Sequence, residues 1–365
     1  MCFIDTLQEI DCSISVTGYV RQGDPLEVIF PGIIPIDERP IETDKAGERK
    51  LVWLLISLIK NLPYSAAKYF NHQYLKWVQL QVSKIEPDVV IIDHAQLGWL
   101  KTALDPKQPL VLLAHNVERK IYEGNQQQAR NCLARLVFRR EAELMERLET
   151  STALRADQVW TLTEADAKYF AALPGVKQVV TFPITPTLTL PEHPLSKQFD
   201  IGLIGSWSWQ ANADALTWFL ESIYPLLPDT VSIHVAGADA APYLKDYPQI
   251  HYRGFVPDAQ AFMAQARVVA IPTVHGSGIQ IKTLDAIASG SKIVATPVAL
   301  RGIDPAPPSV RLAETATSFA ATLLESINDS EPVDLEQIRY WYYTRQHQFR
   351  EILQQSLNSL TGADR

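Results

Sequence analysis

Residues Val268–Asp304, VVAIPTVHGSGIQIKTLDAIASGSKIVATPVALRGID, bring the chain's most chemistry-bearing side chains into one short stretch. The pattern predicts a buried strand over 268–272, a loop with Gly276 and Gly278, a helix over 279–289 stopped by Gly290, and a second strand over 293–296. A glycine loop opening into a helix aims unpaired N–H groups and the positive end of the helix dipole at one point, a seat for phosphate. Lys282 and Asp285 stand three apart and project from neighbouring positions on one helix face. An ammonium beside that seat, with a carboxylate one turn on, suits a nucleoside diphosphate: the ammonium meets pyrophosphate and the carboxylate accepts from ribose hydroxyls. The same spacing also suits a strand–loop–helix unit with a Lys–Asp surface pair.

The surrounding sequence alternates the same two element types, which predicts parallel sheets with helices on both faces. In the first half, strands are expected at 14–19, 26–30, 89–92, 110–114, 158–162 and 178–182, and helices at 48–60, 65–84 and 126–155. Thr163 is placed to N-cap a helix running to Ala172, with Asp166 at the capping-box position. Pro183, Pro186, Pro191 and Pro194 then interrupt the pattern, and a linker is expected over 183–198, because such a run continues neither a helix nor a central strand. Strands resume at 199–204 and continue at 231–236, 250–253, 268–271 and 293–296. The segment 337–360 is helical and aromatic (Tyr340, Trp341, Tyr342, Tyr343, Phe349), which reads as interdomain packing. Two such domains on one linker imply a central cleft, with ligands beyond the carboxyl ends of the strands.

Length and composition fit two domains. A chain of 365 residues with 47% hydrophobic content can fill two cores, so global disorder is excluded. A formal charge of −8 argues against general nucleic-acid binding. Cys2, Cys12 and Cys132 show no paired spacing, which points to reduced thiols in a cytoplasmic protein without a disulfide framework or zinc cluster. The longest apolar run, 51–59, is far short of a membrane span, and the acidic, unbasic opening does not read as a signal peptide. The expectation is a soluble protein.

The order Gly278, Ile279, Gln280, Lys282, Leu284, Asp285, Ala286, Ala288, Gly290, then Val294, Ala295, Thr296, Pro297 and Gly302 resembles the donor-binding segment of GT-B glycosyltransferases. It is most similar to the retaining glycosyltransferase family 4, and within it to sugar transferases of exopolysaccharide and cell-surface glycan pathways. Many members carry two acids eight positions apart, where this chain has Ser277 and Asp285; a subgroup with a Gly-Ile-Gln-x-Lys run also lacks the first acid. The resemblance implies two Rossmann-like domains facing a central cleft. These would be an acceptor-side domain over 1–182, the linker 183–198, a nucleotide-sugar-binding domain over 199–334, and a C-terminal helix over 335–365 crossing back to the first domain. It also implies a first strand and glycine loop that the sequence lacks, since its opening residues read as the helix that would follow them.

Candidate donor-binding residues are Gly205, Ser206, Gly276, Ser277, Gly278, Ile279, Gln280, Lys282 and Asp285. Gly205, Ser206, Trp209 and Asn212 match the family's pattern at the start of its second domain, without the Arg and Lys that many relatives carry there. Lys282 is therefore the expected main cation, with Arg253 or Arg301 as helpers, while Trp207 and Trp209 suit either stacking or packing. His115, at the end of the apolar strand LVLLA, matches a histidine that family members place near donor sugar and acceptor, and Lys282 and His115 are the catalytic candidates. Taken alone, a histidine after a strand also reads as an ordinary satisfied polar residue. Asp93, His94 and Asn116 are candidates for the acceptor side; Asp93 is equally suited to capping a helix, and Glu118 to a helical first turn. Arg119–Arg140 is rich in basic residues and suits either a solvated helix face or peripheral contact with the membrane's inner face.

The expected reaction is transfer of a sugar, of hexosyl type, from a nucleotide-diphosphate sugar to a hydroxyl on a glycan or lipid-linked acceptor. The family implies retention, and neither cofactor nor metal is expected. Closure about the linker would exclude water. The alternatives are a degenerate GT-B protein that binds nucleotide sugar or a partner enzyme, and a nucleotide-sugar epimerase.

Overall fold

Alternating apolar strands and helices give parallel sheets in the computed structural model, which describes residues 2–21, 33–39, 47–129, 131–185, 190 and 196–362. The chain divides into two units, Met1–Phe182 with Arg350–Arg365, and Pro183–Phe349.

The first unit opens with α1 (Cys2–Glu9), β1 (Val16–Arg21), β2 (Ile33–Arg39), α2 (Arg49–Lys60), α3 (Tyr64–Ala67) and α4 (His72–Ile85). It continues with β3 (Val90–Asp93), a 3-10 segment (Ala95–Ala103), β4 (Leu110–Ala114), α5 (Glu118–Gln128), α6 (Cys132–Arg155), β5 (Gln158–Thr161), α7 (Glu164–Ala171) and β6 (Val179–Thr181). Strands β3-β4-β5-β6 form one parallel sheet, and every residue of the LVLLA strand β4 is buried, as a central strand covered on both faces requires. Strands β1 and β2 pair in parallel as a separate two-stranded sheet. Side chains join that pair to the main core: Tyr19 and Ile36 pack against it, and the Tyr74 hydroxyl on α4 donates to the Thr17 carbonyl (3.0 Å).

Two long helices expected from the sequence are each divided. Asn71 restarts the chain as α4 by accepting from the Gln73 N–H, and Asn131 does the same for α6 by accepting from the Ala134 N–H. Thr163 caps α7 as expected, accepting from the Asp166 N–H (3.1 Å). The strand expected at 26–30 lies outside the described residues, as do Pro186, Pro191 and Pro194, and β2 was not foreseen.

The second unit holds β7 (Phe199–Ile204), α8 (Gln210–Trp218), β8 (Ile233–Ala236), β9 (His251–Gly254), α9 (Ala259–Gln265) and β10 (Ala266–Ile271). There follow α10 (Ile281–Ala288), β11 (Lys292–Ala295), β12 (Val310–Leu312), α11 (Ala316–Asn328) and α12 (Leu335–Thr361). Its parallel sheet runs β12-β11-β10-β7-β8-β9, with the edge strand β12 unforeseen. Ile201, Leu203, Val235, Val268 and Val294 bring the inner strands into one core with Phe219, Phe319 and Leu323. Helix α12 belongs to the second unit as far as Phe349 and to the first from Arg350.

Candidate active site

In the second unit, β7, β8 and β10 converge on the proposed donor residues. Gly205 and Ser206 follow β7 directly, and a Cβ added at Gly237, after β8, would fall 1.8 Å from the Gly205 carbonyl oxygen. Gly237 also has φ of +107°, so only glycine allows these two strand ends to approach so closely. The loop after β10 carries Gly276 (φ +139°) and Gly278 (φ +69°), both in the region that L side chains avoid. Gly278 keeps the chain out of helical geometry, which explains why α10 begins at Ile281 rather than Ile279. Gln280 is its N-cap residue, with no side-chain capping bond.

A line of hydrogen bonds ties these parts together. Lys282 Nζ donates to Asn212 Oδ1 (2.8 Å), and Asn212 Nδ2 donates to the Ser206 carbonyl (3.0 Å). The lysine on α10, the first turn of α8 and the turn after β7 thus share one location. Burial lowers the Lys282 ammonium to about 8, and burial raises the Asp285 carboxyl one turn further along. Arg301 donates to the carbonyls of Gly276 and Gly278, so it clamps the loop by its backbone. Thr283 Oγ1 donates to the Ala299 carbonyl (2.9 Å), and Thr296 Oγ1 donates to the Thr273 carbonyl, fixing both ends of the loop to the segment after β11. Trp207 is buried, its Nε1 donating to the Ala236 carbonyl, whereas Trp209 stands 60% exposed. That bond assigns Trp207 to packing and leaves Trp209 the accessible ring. Ser277 and Ile279 lie within the clamped loop, and Arg253 is exposed on β9.

Sequence reasoning missed the His275–Asp214 pair (2.6 Å), which joins the loop after β10 to α8. It also missed the clamping role of Arg301. Both contacts cross between strand-end loops far apart in sequence, so no local spacing announces them.

In the first unit, the ends of adjacent strands β3 and β4 bring Asp93, His94, His115 and Asn116 together. His115 Nε2 lies 2.6 Å from Asp93 Oδ1, and the rings of His94 and His115 stack with centroids 4.0 Å apart. Burial pushes the Asp93 carboxyl up, but the His115 hydrogen bond and the charges of His115 and His94 outweigh it and hold the group below its ordinary range. When the imidazole is neutral, an ionised Asp93 holds its proton on Nε2 and leaves His115 Nδ1 as an acceptor. His94 adopts φ of +71°, with Nδ1 3.6 Å from Glu118 Oε1. Burial lowers His94, yet the Glu118 hydrogen bond, the Asp93 charge and the Glu118 charge raise it overall.

Glu118 opens α5, as one reading of the sequence has it, and also accepts from Gln96 Nε2 (3.2 Å). Its own N–H donates to the buried Glu149 (2.9 Å), whose carboxyl is pushed up to about 8 by burial. Asn116 Oδ1 is buried with no hydrogen-bond partner among the described residues. The ligand atoms of Asp93, His94 and His115 lie within 4.8 Å of one another, close enough to share a cation.

Residues 198–329 match the family model for glycosyl transferases group 1. No curated protein sequence matches the chain. Among solved structures, the chain is similar to HepE from Anabaena in complex with UDP and glucose, at TM-score 0.61 and 15% identity, covering 99% of this chain and 95% of that one. WaaG, a glycosyltransferase involved in lipopolysaccharide biosynthesis, gives TM-score 0.58 and 16% identity over 99% of this chain and 95% of its own. TarM from S. aureus, with α-GlcNAc-glycerol and UDP among its ligands, gives 0.56 and 15% over 78% of this chain, which spans only 58% of that protein's length. At these identities the likeness establishes the fold. The chain has the GT-B fold, and its residues 198–329 are similar to the glycosyl transferases group 1 family.

Proposed function

We propose that the protein transfers a sugar, of hexosyl type, from a nucleotide-diphosphate sugar to a hydroxyl of a glycan or lipid-linked acceptor, with retained anomeric configuration. The observation that carries this reading is the Lys282–Asn212–Ser206 line of hydrogen bonds beside the Arg301-clamped loop and the start of α10. It holds an ammonium and a helix N-terminus ready for a diphosphate before any donor arrives. HepE with UDP and glucose supports a nucleotide-sugar donor, and WaaG supports a role in cell-surface glycans.

In the step itself, the bond from the anomeric carbon to the diphosphate oxygen breaks. The acceptor hydroxyl oxygen forms the new glycosidic bond, and its proton passes to the departing phosphate. Lys282, loop N–H groups and the α10 N-terminus balance the charge that develops on that phosphate, so this reading routes no step through a metal. Asp285 accepts from the ribose hydroxyls. His115, oriented by Asp93, accepts from a sugar hydroxyl through Nδ1, while Asn116 and His94 serve the acceptor side. Arg119–Arg140 gives the protein a peripheral contact with the inner face of the membrane.

Nucleotide sugars should first be ranked by thermal shift and the best one assayed for turnover. Lys282→Ala is expected to abolish turnover and to weaken nucleoside-diphosphate binding by about tenfold or more. Unchanged kinetics would remove the phosphate role and the transfer reading with it.

A further inference from the structure

Helix α2 is built inside out for a protein surface in water. Of its twelve residues, only Trp53 and Ser57 are buried, while Leu51, Val52, Leu54, Leu55, Leu58 and Ile59 all face outward, Ile59 at 76% exposure. A helix packed on a soluble domain normally presents the opposite pattern. The inward strip is fixed by specific contacts. Trp53 meets the Tyr64 ring edge-on, and Ser57 Oγ donates to the Leu62 carbonyl (2.7 Å). Arg140 of α6 donates to Ser57 Oγ (3.1 Å) and to its carbonyl (3.3 Å), which sets the start of α6 beside α2. That start is apolar on the outside too: Leu133 is 72% exposed, with Leu136 and Val137 at helical spacing beside it. Both helices thus turn apolar side chains outward, and the Arg140–Ser57 contact holds one against the other.

Basic residues frame these apolar side chains. Arg49 and Lys50 stand at one end of α2 and Lys60 at the other, while α6 carries Arg135, Arg139 and Arg140 with no acid between Cys132 and Arg140. Glu48 and Glu143 lie at the margins, Glu143 pairing with Arg139 (3.0 Å), while Glu141 pairs with Arg140 (2.7 Å). This cationic frame sits on a chain of net charge −8. A second copy docked on the same face would set arginine and lysine against arginine and lysine, whereas anionic lipid headgroups would neutralise them. At 12 residues α2 is about 18 Å long, and no described helix is long and apolar enough to cross a membrane. Its geometry is that of a helix lying in the plane of the interface.

We propose that α2 and the first turns of α6 form a docking surface for an anionic lipid bilayer, with the leucines entering the acyl boundary and the basic frame meeting headgroups. The inference deepens the membrane contact proposed above by adding α2 to the α6 part of Arg119–Arg140, and it is independent of the transfer chemistry. The full-length protein should co-sediment with phosphatidylcholine vesicles containing phosphatidylglycerol and not with phosphatidylcholine alone. The variant Leu55→Ser/Leu58→Ser/Ile59→Ser should keep the wild-type melting temperature and lose about tenfold or more in vesicle affinity. Arg135→Gln/Arg139→Gln should lose about fivefold per charge.

Wild-type vesicle binding by the leucine variant, with loss only in the arginine variant, would overturn the role of α2 and leave the basic contact standing. Absence of vesicle binding by the wild type, or a dimer that the leucine variant converts to monomer, would overturn both. Vesicle binding retained by Lys282→Ala is expected, which separates this test from that of the donor site.

Discussion

An ammonium that burial holds at about 8 titrates where a surface lysine would not, and this gives the proposed donor site a pH signature. In the proposed role the protonated form binds the diphosphate, so nucleoside-diphosphate affinity should be flat at neutral pH and fall as pH rises through 8, by up to about tenfold per unit. Calorimetric titration from neutral to alkaline pH checks this, with Lys282→Arg expected to flatten the profile. His115→Ala should lower kcat by about a hundredfold or more while leaving nucleoside-diphosphate affinity intact. Asp93→Asn reverses the polarity of its hydrogen bond to His115 and should cost about tenfold in kcat. Lys282, Asp285 and His115 were legible as candidates because their types sit beside readable punctuation, a glycine loop or the end of an apolar strand. Asn212 stood out only as part of a family pattern, and its service as the bridge between Lys282 and Ser206 needs the fold. His275, Asp214 and Arg301 act through loops brought together by sheet order, which no local spacing encodes.

Among elements, the strand ends around the donor seat tolerate least change. Gly237→Ala would drive a Cβ into the Gly205 carbonyl at a φ that penalises any side chain, and should cost about 2–4 kcal/mol of stability. Donor affinity should fall with it, because the displaced turn carries Ser206; chemical denaturation and nucleotide titration of the variant measure the two effects. Most strands were readable from period and punctuation, β4 and β10 most clearly, since a continuous apolar run bounded by turn residues has few other readings. Helix breaks at Asn71 and Asn131 were not readable, because amphipathic spacing runs through them and a mid-pattern Asn declares itself as a cap only when the chain turns. The exposed leucines of α2 were visible as an apolar run, but their outward direction was not, because hydrophobic residues at helical spacing ordinarily mean core.

For the whole molecule, composition and alternation were enough to expect two α/β halves, and the glycine-lysine segment was enough to expect GT-B. Among the described residues, β1 and β2 stand apart from the four-stranded sheet of their unit. With no backbone ladder to the larger sheet among the described residues, this pair is tethered by Tyr19, Ile36 and the Tyr74 hydroxyl. Two strands alone are marginal, so β1–β2 should open as its own cooperative piece well before the rest of its unit melts. Amide hydrogen exchange would register that independence: deuterium should enter Val16–Arg21 and Ile33–Arg39 far sooner than Leu110–Ala114, and Tyr74→Phe should widen the interval by loosening one tether.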